Sequence, residues 1–225
     1  MTWFWEFVSD PANWSGPSGI PARLLEHLTY SGVSLLLAAA IALPLGLLIG
    51  HTGRGGIVAL VAANAARALP TLGLLVLVIL LIGYGVAPVL IPLVVLAIPP
   101  ILVNTYAGLR GVDADLRDAA RGMGLRGPQV LFRVSIPVAL PLILLGLRLA
   151  AIQVVSTATV AAFVGLGGLG RFIVDGLATK QYPSTAGGAV LVALLALLVQ
   201  GIFTVLQRVI VSPGVSGRVP VGKAG

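Results

Sequence analysis

The stretch DLRDAARGMGLRGPQVLFRVSIPVALP, residues 115–141, decides how the rest of the chain is interpreted. Only 9% of the 225 residues are charged, yet four arginines fall between Arg117 and Arg133. Long apolar segments lie on both sides of the stretch. A short arginine-rich segment between such segments is typical of a cytoplasmic loop that joins two membrane-spanning helices.

The composition supports this interpretation. Hydrophobic residues make up 58% of the chain, the mean hydropathy is +1.07, and several runs exceed the ~18 apolar residues that suggest a transmembrane helix. We therefore predict an all-α polytopic membrane protein. Its net charge of +7 fits cationic loops rather than a nucleic-acid groove. The absence of cysteine excludes disulfides, thiolate metal sites and a thiol nucleophile.

Five apolar segments are long enough to cross a bilayer. They cover residues 30–50, 57–82, 86–109, 140–164 and 186–211. The second segment contains Arg67 and Pro70, and we count it as one span because splitting it would scramble the charges of the loops.

These spans divide the chain into three parts. Residues 1–26 form an extracytoplasmic or interfacial segment, residues 27–211 a transmembrane domain with a cytoplasmic loop at 110–137, and residues 212–225 a cytoplasmic tail.

The positive charges of the loops predict the orientation of the chain. With five spans, one side of the membrane receives nine Lys and Arg residues and the other side receives three. The nine are Arg54, Arg110, Arg117, Arg121, Arg126, Arg133, Arg208, Arg218 and Lys223, and the three are Arg23, Arg171 and Lys180. The N-terminus is therefore predicted outside and the C-terminus in the cytoplasm.

Within the arginine-rich loop, the sequence predicts two short helices. Asp113 is suited to cap the first helix, LRDAARGMG, which glycine ends. Pro128 is suited to the first turn of a second short helix, PQVLFR. Several residues of the loop have almost no side chain, so that another backbone can approach closely: Ala119, Ala120, Gly122 and Gly124.

The spacing of these residues closely resembles the motif EAA-x3-G-x9-I-x-LP, which marks the membrane subunits of ABC importers. The matching residues are Asp118, Ala119, Ala120, Gly124, Val134, Ile136 and Pro137. Asp replaces Glu, Val replaces Ile and Ile replaces Leu, all conservative changes. The resemblance implies that these residues form a coupling helix that docks in a groove of a cytoplasmic ATPase.

Longer stretches resemble the permeases of glycine betaine, carnitine and choline importers, the osmoprotectant branch of the type I ABC importers. They cover residues 66–75, 99–124, 146–170 and 171–177. The resemblance implies a five-helix core in a prokaryotic cytoplasmic membrane. It also implies three partners: an ATPase dimer, a second permease of the same or a different chain, and an extracytoplasmic substrate-binding protein.

The chain contains no G-x4-G-K-[ST] phosphate-binding loop. We therefore expect a noncatalytic subunit without a cofactor or a metal of its own, and place ATP and Mg²⁺ on the partner ATPase. The glycine-rich stretch GLGGLG, residues 165–170, fits G-x-G-x-x-G but follows a transmembrane segment rather than a strand. It is interpreted as an extracytoplasmic turn.

Several polar residues lie within the predicted spans, where they either pack helices together or line a translocation path. They are Asn104, Gln153, Ser156, Thr157 and Thr159. Two cations, Arg67 and Arg148, also lie within spans that contain no acid. Each is interpreted as a structural or gating charge that snorkels, pairs with a loop acid such as Asp113 or meets backbone carbonyls, ahead of a contact with a substrate carboxylate.

Three alternative functions remain. Within the family, the chain could serve a methionine or other small-solute importer. A stand-alone secondary transporter or channel would predict inverted repeats or acids inside the membrane, and neither is seen. A membrane-embedded enzyme ranks last, because no acid or histidine lies well inside a segment.

Overall fold

The computed structural model describes residues 2–211, so the predicted tail 212–225 lies outside the described residues. Every regular element in residues 2–211 is helical, which confirms the all-α fold class. The α-helices are α1 (Thr2–Ser9), α2 (Ile20–Thr52), α3 (Gly56–Arg67), α4 (Thr71–Ile82), α5 (Ala87–Arg110), α6 (Ala114–Gly122), α7 (Gly127–Val130), α8 (Ile136–Thr157), α9 (Gly170–Ala178) and α10 (Tyr182–Ile210). Short 3-10 helices cover Pro11–Trp14 and Ala158–Val164, and a π turn covers Leu131–Ser135.

Helix α2 packs against α5 through a stripe of small residues. The buried positions recur every three or four residues along one face: Ser31, Ser34, Ala38, Ala42, Gly46 and Gly50. A Cβ added at Gly46 would lie 2.8 Å from the Cβ of Thr105, and one added at Gly50 would lie 2.8 Å from the Cβ of Leu109. Small residues at such a contact let two helices approach closely within a bilayer.

Helix α2 begins ten residues before the predicted span 30–50. Apolar patterning marks only the part of a helix that matches the thickness of the bilayer. The helix itself continues in both directions until Gly19 and Gly53 flank it. Gly53 ends the helix in a left-handed conformation with φ 71°, and its N–H donates to the carbonyl of Ile49 at 2.9 Å.

The second predicted span, residues 57–82, forms two helices, α3 and α4, that meet at an angle of 89°. Pro70 causes the break, because it lacks an N–H group and disfavours helical geometry at Leu69. The described residues contain four helices long and apolar enough to cross a membrane, and a fifth span if the bent pair is counted as one.

Helix α5 occupies the centre of the molecule, between α2 and α8. Its contact with α8 depends on glycine. A Cβ added at Gly146 would lie 2.7 Å from the carbonyl oxygen of Pro100 and 2.9 Å from the Cβ of Asn104. A Cβ at Gly108 would lie 3.1 Å from the carbonyl oxygen of Ala139. Both sites bring side chains of one helix against the backbone of the other.

The second short helix predicted in the loop does not end after Arg133. Helical structure instead continues from Gly127 through the π turn into α8 and on to Val164, over 38 residues. Nothing between Leu131 and Ser135 stops a helix. Pro137 lacks an N–H group and would clash with the carbonyl four residues earlier in an α-helix. The wider π turn accommodates this proline. The predicted span 140–164 is therefore the C-terminal part of a longer helical segment.

Candidate functional site

Helices α6 and α7 form a compact projection at one end of the molecule, which we call the platform (residues 113–130). Asp113 caps α6, as predicted, and its carboxylate accepts a hydrogen bond from the N–H of Asp115 at 2.9 Å. Gly124 follows α6 with φ +87°, a left-handed conformation that favours glycine. Gln129 Oε1 accepts from the N–H of Arg126 at 2.8 Å and fixes the start of α7.

The residues of the coupling motif divide between the surface of the platform and its base. Asp118, Ala119, Gly124 and Pro137 are exposed, Val134 and Ile136 are half-buried, and Ala120 is buried. Asp118 pairs with Arg121 on the surface at 3.1 Å, a contact that contributes little to stability in water.

Apolar side chains are also exposed on and beside the platform. Leu116, Met123 and Phe132 are exposed, and Met123 is 76% exposed. A contiguous patch of exposed apolar side chains marks a protein interaction surface, whereas single exposed apolar side chains are common. Methionine suits such a surface because its side chain is flexible and polarizable.

Two glycines of the platform, Gly122 and Gly124, are not required by its own packing. A Cβ added at Gly122 or Gly124 would find no atom within 4 Å. The conformation of Gly124 explains its glycine, but Gly122 has no positive φ. Open space at Gly122 is therefore available to another molecule.

The polar residues of the spans fall into two groups. Gln153, Ser156, Thr157 and Thr159 lie together where α8 passes into the 3-10 helix, and Thr159 Oγ1 donates to the carbonyl of Ser156 at 3.0 Å. Asn104 is on α5, beside Gly146, and its amide donates to the carbonyl of Pro100 at 2.7 Å. Asn104 is thus satisfied within its own helix, about two turns of α8 away from the others.

The two arginines of the spans have different surroundings. Arg67 ends α3 and is exposed, whereas Arg148 is half-buried and its Nε is buried without a hydrogen-bond partner. Within residues 2–211 the ion pairs are Arg23–Glu26, Arg121–Asp118 and Arg171–Asp175. Neither Arg67 nor Arg148 forms an ion pair with Asp113 in this structure, which was one of the three arrangements that the sequence left open.

At the end of the molecule opposite the platform, the start of α2 contacts the glycine-rich turn (residues 165–170). The Glu26 carboxylate accepts from the N–H of Gly168 at 2.8 Å and from Arg23 at 2.9 Å. The neighbouring His27 is buried, and its Nε2 lies 2.8 Å from the carbonyl oxygen of Val155. The sequence displays Glu26 and His27 as an isolated polar pair, but no sequence pattern indicates partners more than 120 residues away.

The turn lacks the setting of a dinucleotide site. A 3-10 helix precedes it and α9 follows it, whereas the dinucleotide fingerprint requires a strand on its N-terminal side. Gly165 and Gly168 have φ of +78° and +93°. Their glycines are explained by a tight reversal of the chain.

Comparison with known proteins assigns the chain to a class. Residues 42–217 match the model of the family described as binding-protein-dependent transport system inner membrane component. The glycine betaine/carnitine/choline transport system permease protein of Bacillus subtilis (strain 168) is 35% identical over 85% of this chain and 88% of its own length. The carnitine transport permease protein of Listeria monocytogenes is 37% identical over 78% of this chain and 80% of its own length.

The fold is also that of a solved transporter. A chain of the MetNI methionine ABC transporter, in an inward-facing conformation, matches with a TM-score of 0.71 and 26% identity. The match covers 84% of this chain and 94% of the MetNI chain.

Proposed function

Because the chain belongs to the family of binding-protein-dependent transport system inner membrane components, we propose that it is the membrane-spanning permease subunit of an ATP-driven importer for osmoprotectants such as glycine betaine, carnitine or choline. The observation that carries this proposal is the extent of the similarity. It runs over more than three quarters of both chains in permeases named for these three compounds. The methionine alternative has weaker support, since the methionine transporter is less similar in sequence.

The platform is the proposed contact with the ATPase. Its support is the combination of motif spacing with exposure: Asp118, Ala119 and Gly124 are accessible, and Gly122 faces open space. In this proposal a separate ATPase dimer binds ATP and Mg²⁺, and its closure moves α6. The platform then moves α8, because α7, the second helix of the platform, continues through the π turn into α8.

The remaining partners are proposed from the family. A substrate-binding protein would deliver its ligand at the end that carries the turn, and a second permease would complete the translocation path. Exposed apolar residues are abundant on α3, α4 and α10, and a lipid bilayer and a second permease are the surroundings that suit them. The proposed location is the cytoplasmic membrane of a prokaryote.

Uptake of labelled glycine betaine tests the proposed function directly. Cells at high osmolarity, lacking other betaine importers, would be compared with and without this chain, with choline, carnitine, proline and methionine as unlabelled competitors. We expect uptake that depends on the chain and is inhibited by carnitine or choline. Uptake of methionine instead would support the methionine alternative, and unchanged betaine uptake would remove the osmoprotectant assignment.

A further inference from the structure

Arg67 projects from the inner face of α3. It lies eleven residues after Gly56 and four after Ala63, so all three share one face of the helix. Gly56 and Ala63 are buried, and a Cβ added at Gly56 would meet the ring of Tyr106 on α5. This face is therefore the one that packs on α5, and the outward face carries Ile57 and Val58, which are 81% and 73% exposed.

Despite this position, Arg67 is exposed. Helix α3 ends at Arg67, and the chain turns through 89° into α4, so α3 no longer covers α5 beyond this point. The Arg67 side chain is therefore accessible at the bend, at the end of the face of α3 that packs on α5. Arg67 is eleven residues, or about 16–17 Å, from Gly56 along the helix, within the ~30 Å of a hydrocarbon core.

No group in residues 2–211 neutralises this cation. No Asp or Glu occurs between Glu26 and Asp113, and within the described residues the Arg67 side chain takes part in no ion pair or hydrogen bond. A charge at membrane depth is costly unless it meets water or an opposite charge. The structure thus leaves an exposed guanidinium at the bend between α3 and α4, without a partner in the described residues. A planar guanidinium binds carboxylates through two parallel hydrogen bonds.

From this arrangement we infer that Arg67 binds the carboxylate of a zwitterionic substrate during translocation and so favours carboxylate-bearing quaternary amines over choline. The inference rests on the proposed function. Glycine betaine and carnitine carry a quaternary ammonium and a carboxylate, whereas choline carries the same ammonium with a hydroxyl. Only the first two can pair with Arg67, and their cationic end would be repelled by it.

The test compares transport of the three compounds by the complete transporter, reconstituted in vesicles with its ATPase and binding protein. Arg67→Gln removes the charge and keeps a side chain of similar reach. Arg54→Gln is the matched control, because Arg54 is an exposed arginine in the loop before α3. Since the binding protein is the same throughout, a change in the ratio of glycine betaine to choline transport reports on the permease alone.

We expect Arg67→Gln to lower the kcat/KM for glycine betaine relative to the kcat/KM for choline by about tenfold or more, as for the loss of a charged hydrogen bond. Carnitine should follow glycine betaine, and Arg54→Gln should leave the ratio unchanged. An equal fall for all three compounds, or an unchanged ratio, would overturn the inference and leave the proposed function standing.

Two further outcomes are decisive. If Arg67→Gln does not assemble, Arg67→Met takes its place, because it also removes the charge and suits apolar surroundings. A lower ratio supports the inference and an unchanged ratio overturns it. A wild-type transporter that carries choline but neither carboxylate compound would also overturn it. A wild-type transporter that carries none of the three would remove the proposed function together with the inference.

Discussion

The carboxylate of Glu26 accepts a hydrogen bond from the backbone N–H of Gly168 at 2.8 Å. This hydrogen bond joins the start of α2 to the glycine-rich turn, although the two residues are 142 positions apart in the chain. Arg23 holds the same carboxylate at 2.9 Å, and Gly167 has no side chain because Glu26 occupies the place of its Cβ. The turn is thus shaped around one acidic side chain.

Replacement of this carboxylate should loosen the turn. We expect Glu26→Ala to lower the free energy of unfolding by about 1 kcal/mol, below the usual range for a charged hydrogen bond because the Glu26 side chain is 37% exposed. Glu26→Gln keeps an oxygen that can accept from Gly168 and should lose less. Thermal unfolding in detergent measures both, and equal stability of Glu26→Ala and wild type would contradict the expectation.

The contact between α5 and α8 should tolerate no side chain at Gly146. A Cβ there would lie 2.7 Å from a backbone carbonyl oxygen, which cannot move aside as a flexible side chain could. We expect Gly146→Ala to cost about 1–3 kcal/mol, as for overpacking of a core.

Gly201 on α10 provides the control for this substitution. A Cβ at Gly201 meets nothing within 4 Å, so Gly201→Ala should be neutral or stabilising by up to about 1 kcal/mol. The denaturation midpoint should therefore fall for Gly146→Ala and stay unchanged or rise for Gly201→Ala. A similar loss in both would mean that glycine itself, rather than close packing, matters in these helices.

A bulky side chain on the platform should uncouple transport from ATP hydrolysis without unfolding the chain. Gly122 faces open space and has no positive φ, so Gly122→Arg should leave the unfolding midpoint unchanged. If an ATPase docks there, the same change should remove most ATP-driven uptake, because the arginine fills the contact. Gln181→Arg places the same side chain on an exposed site at the other end and should retain uptake. Normal uptake by Gly122→Arg would count against the coupling role.

The predicted orientation can be measured by cysteine labelling, since the chain contains no cysteine of its own. Met123 on the platform and Gln181 between α9 and α10 are both exposed. In intact cells, a membrane-impermeant maleimide should label Gln181→Cys, and it should label Met123→Cys only after permeabilisation. The opposite pattern would reverse the predicted topology.

The sequence predicts those features that depend on neighbouring residues. Asp113 caps α6 because a short acceptor precedes a run of helix formers, and the apolar segments mark the helices of the core. The 89° bend at Pro70 is different: proline predicts a break, but the angle depends on how α4 packs against α5. The direction in which Arg67 faces is known only from the packing of α3 on α5.

Other features depend on residues that are far apart in the chain. Nothing near Glu26 indicates that Gly168 will meet it, and nothing near Gly146 indicates that Pro100 will lie against it. The π turn at Leu131–Ser135 was also beyond prediction. Pro137 makes an ordinary helix difficult there, but a break and a wider turn are equally compatible with the sequence.

One continuous helical segment runs from Gly127 on the platform to Val164 before the glycine-rich turn. At 1.5 Å per residue its 38 residues extend about 57 Å, so a tilt of about 10° applied at one end displaces the other by roughly 10 Å. Near its C-terminal end, this segment contacts α2 through the carbonyl oxygen of Val155 and the side chain of His27. If a partner moves the platform, this segment connects that movement, through the crossing of α8 with α5, to the contact between α8 and α2.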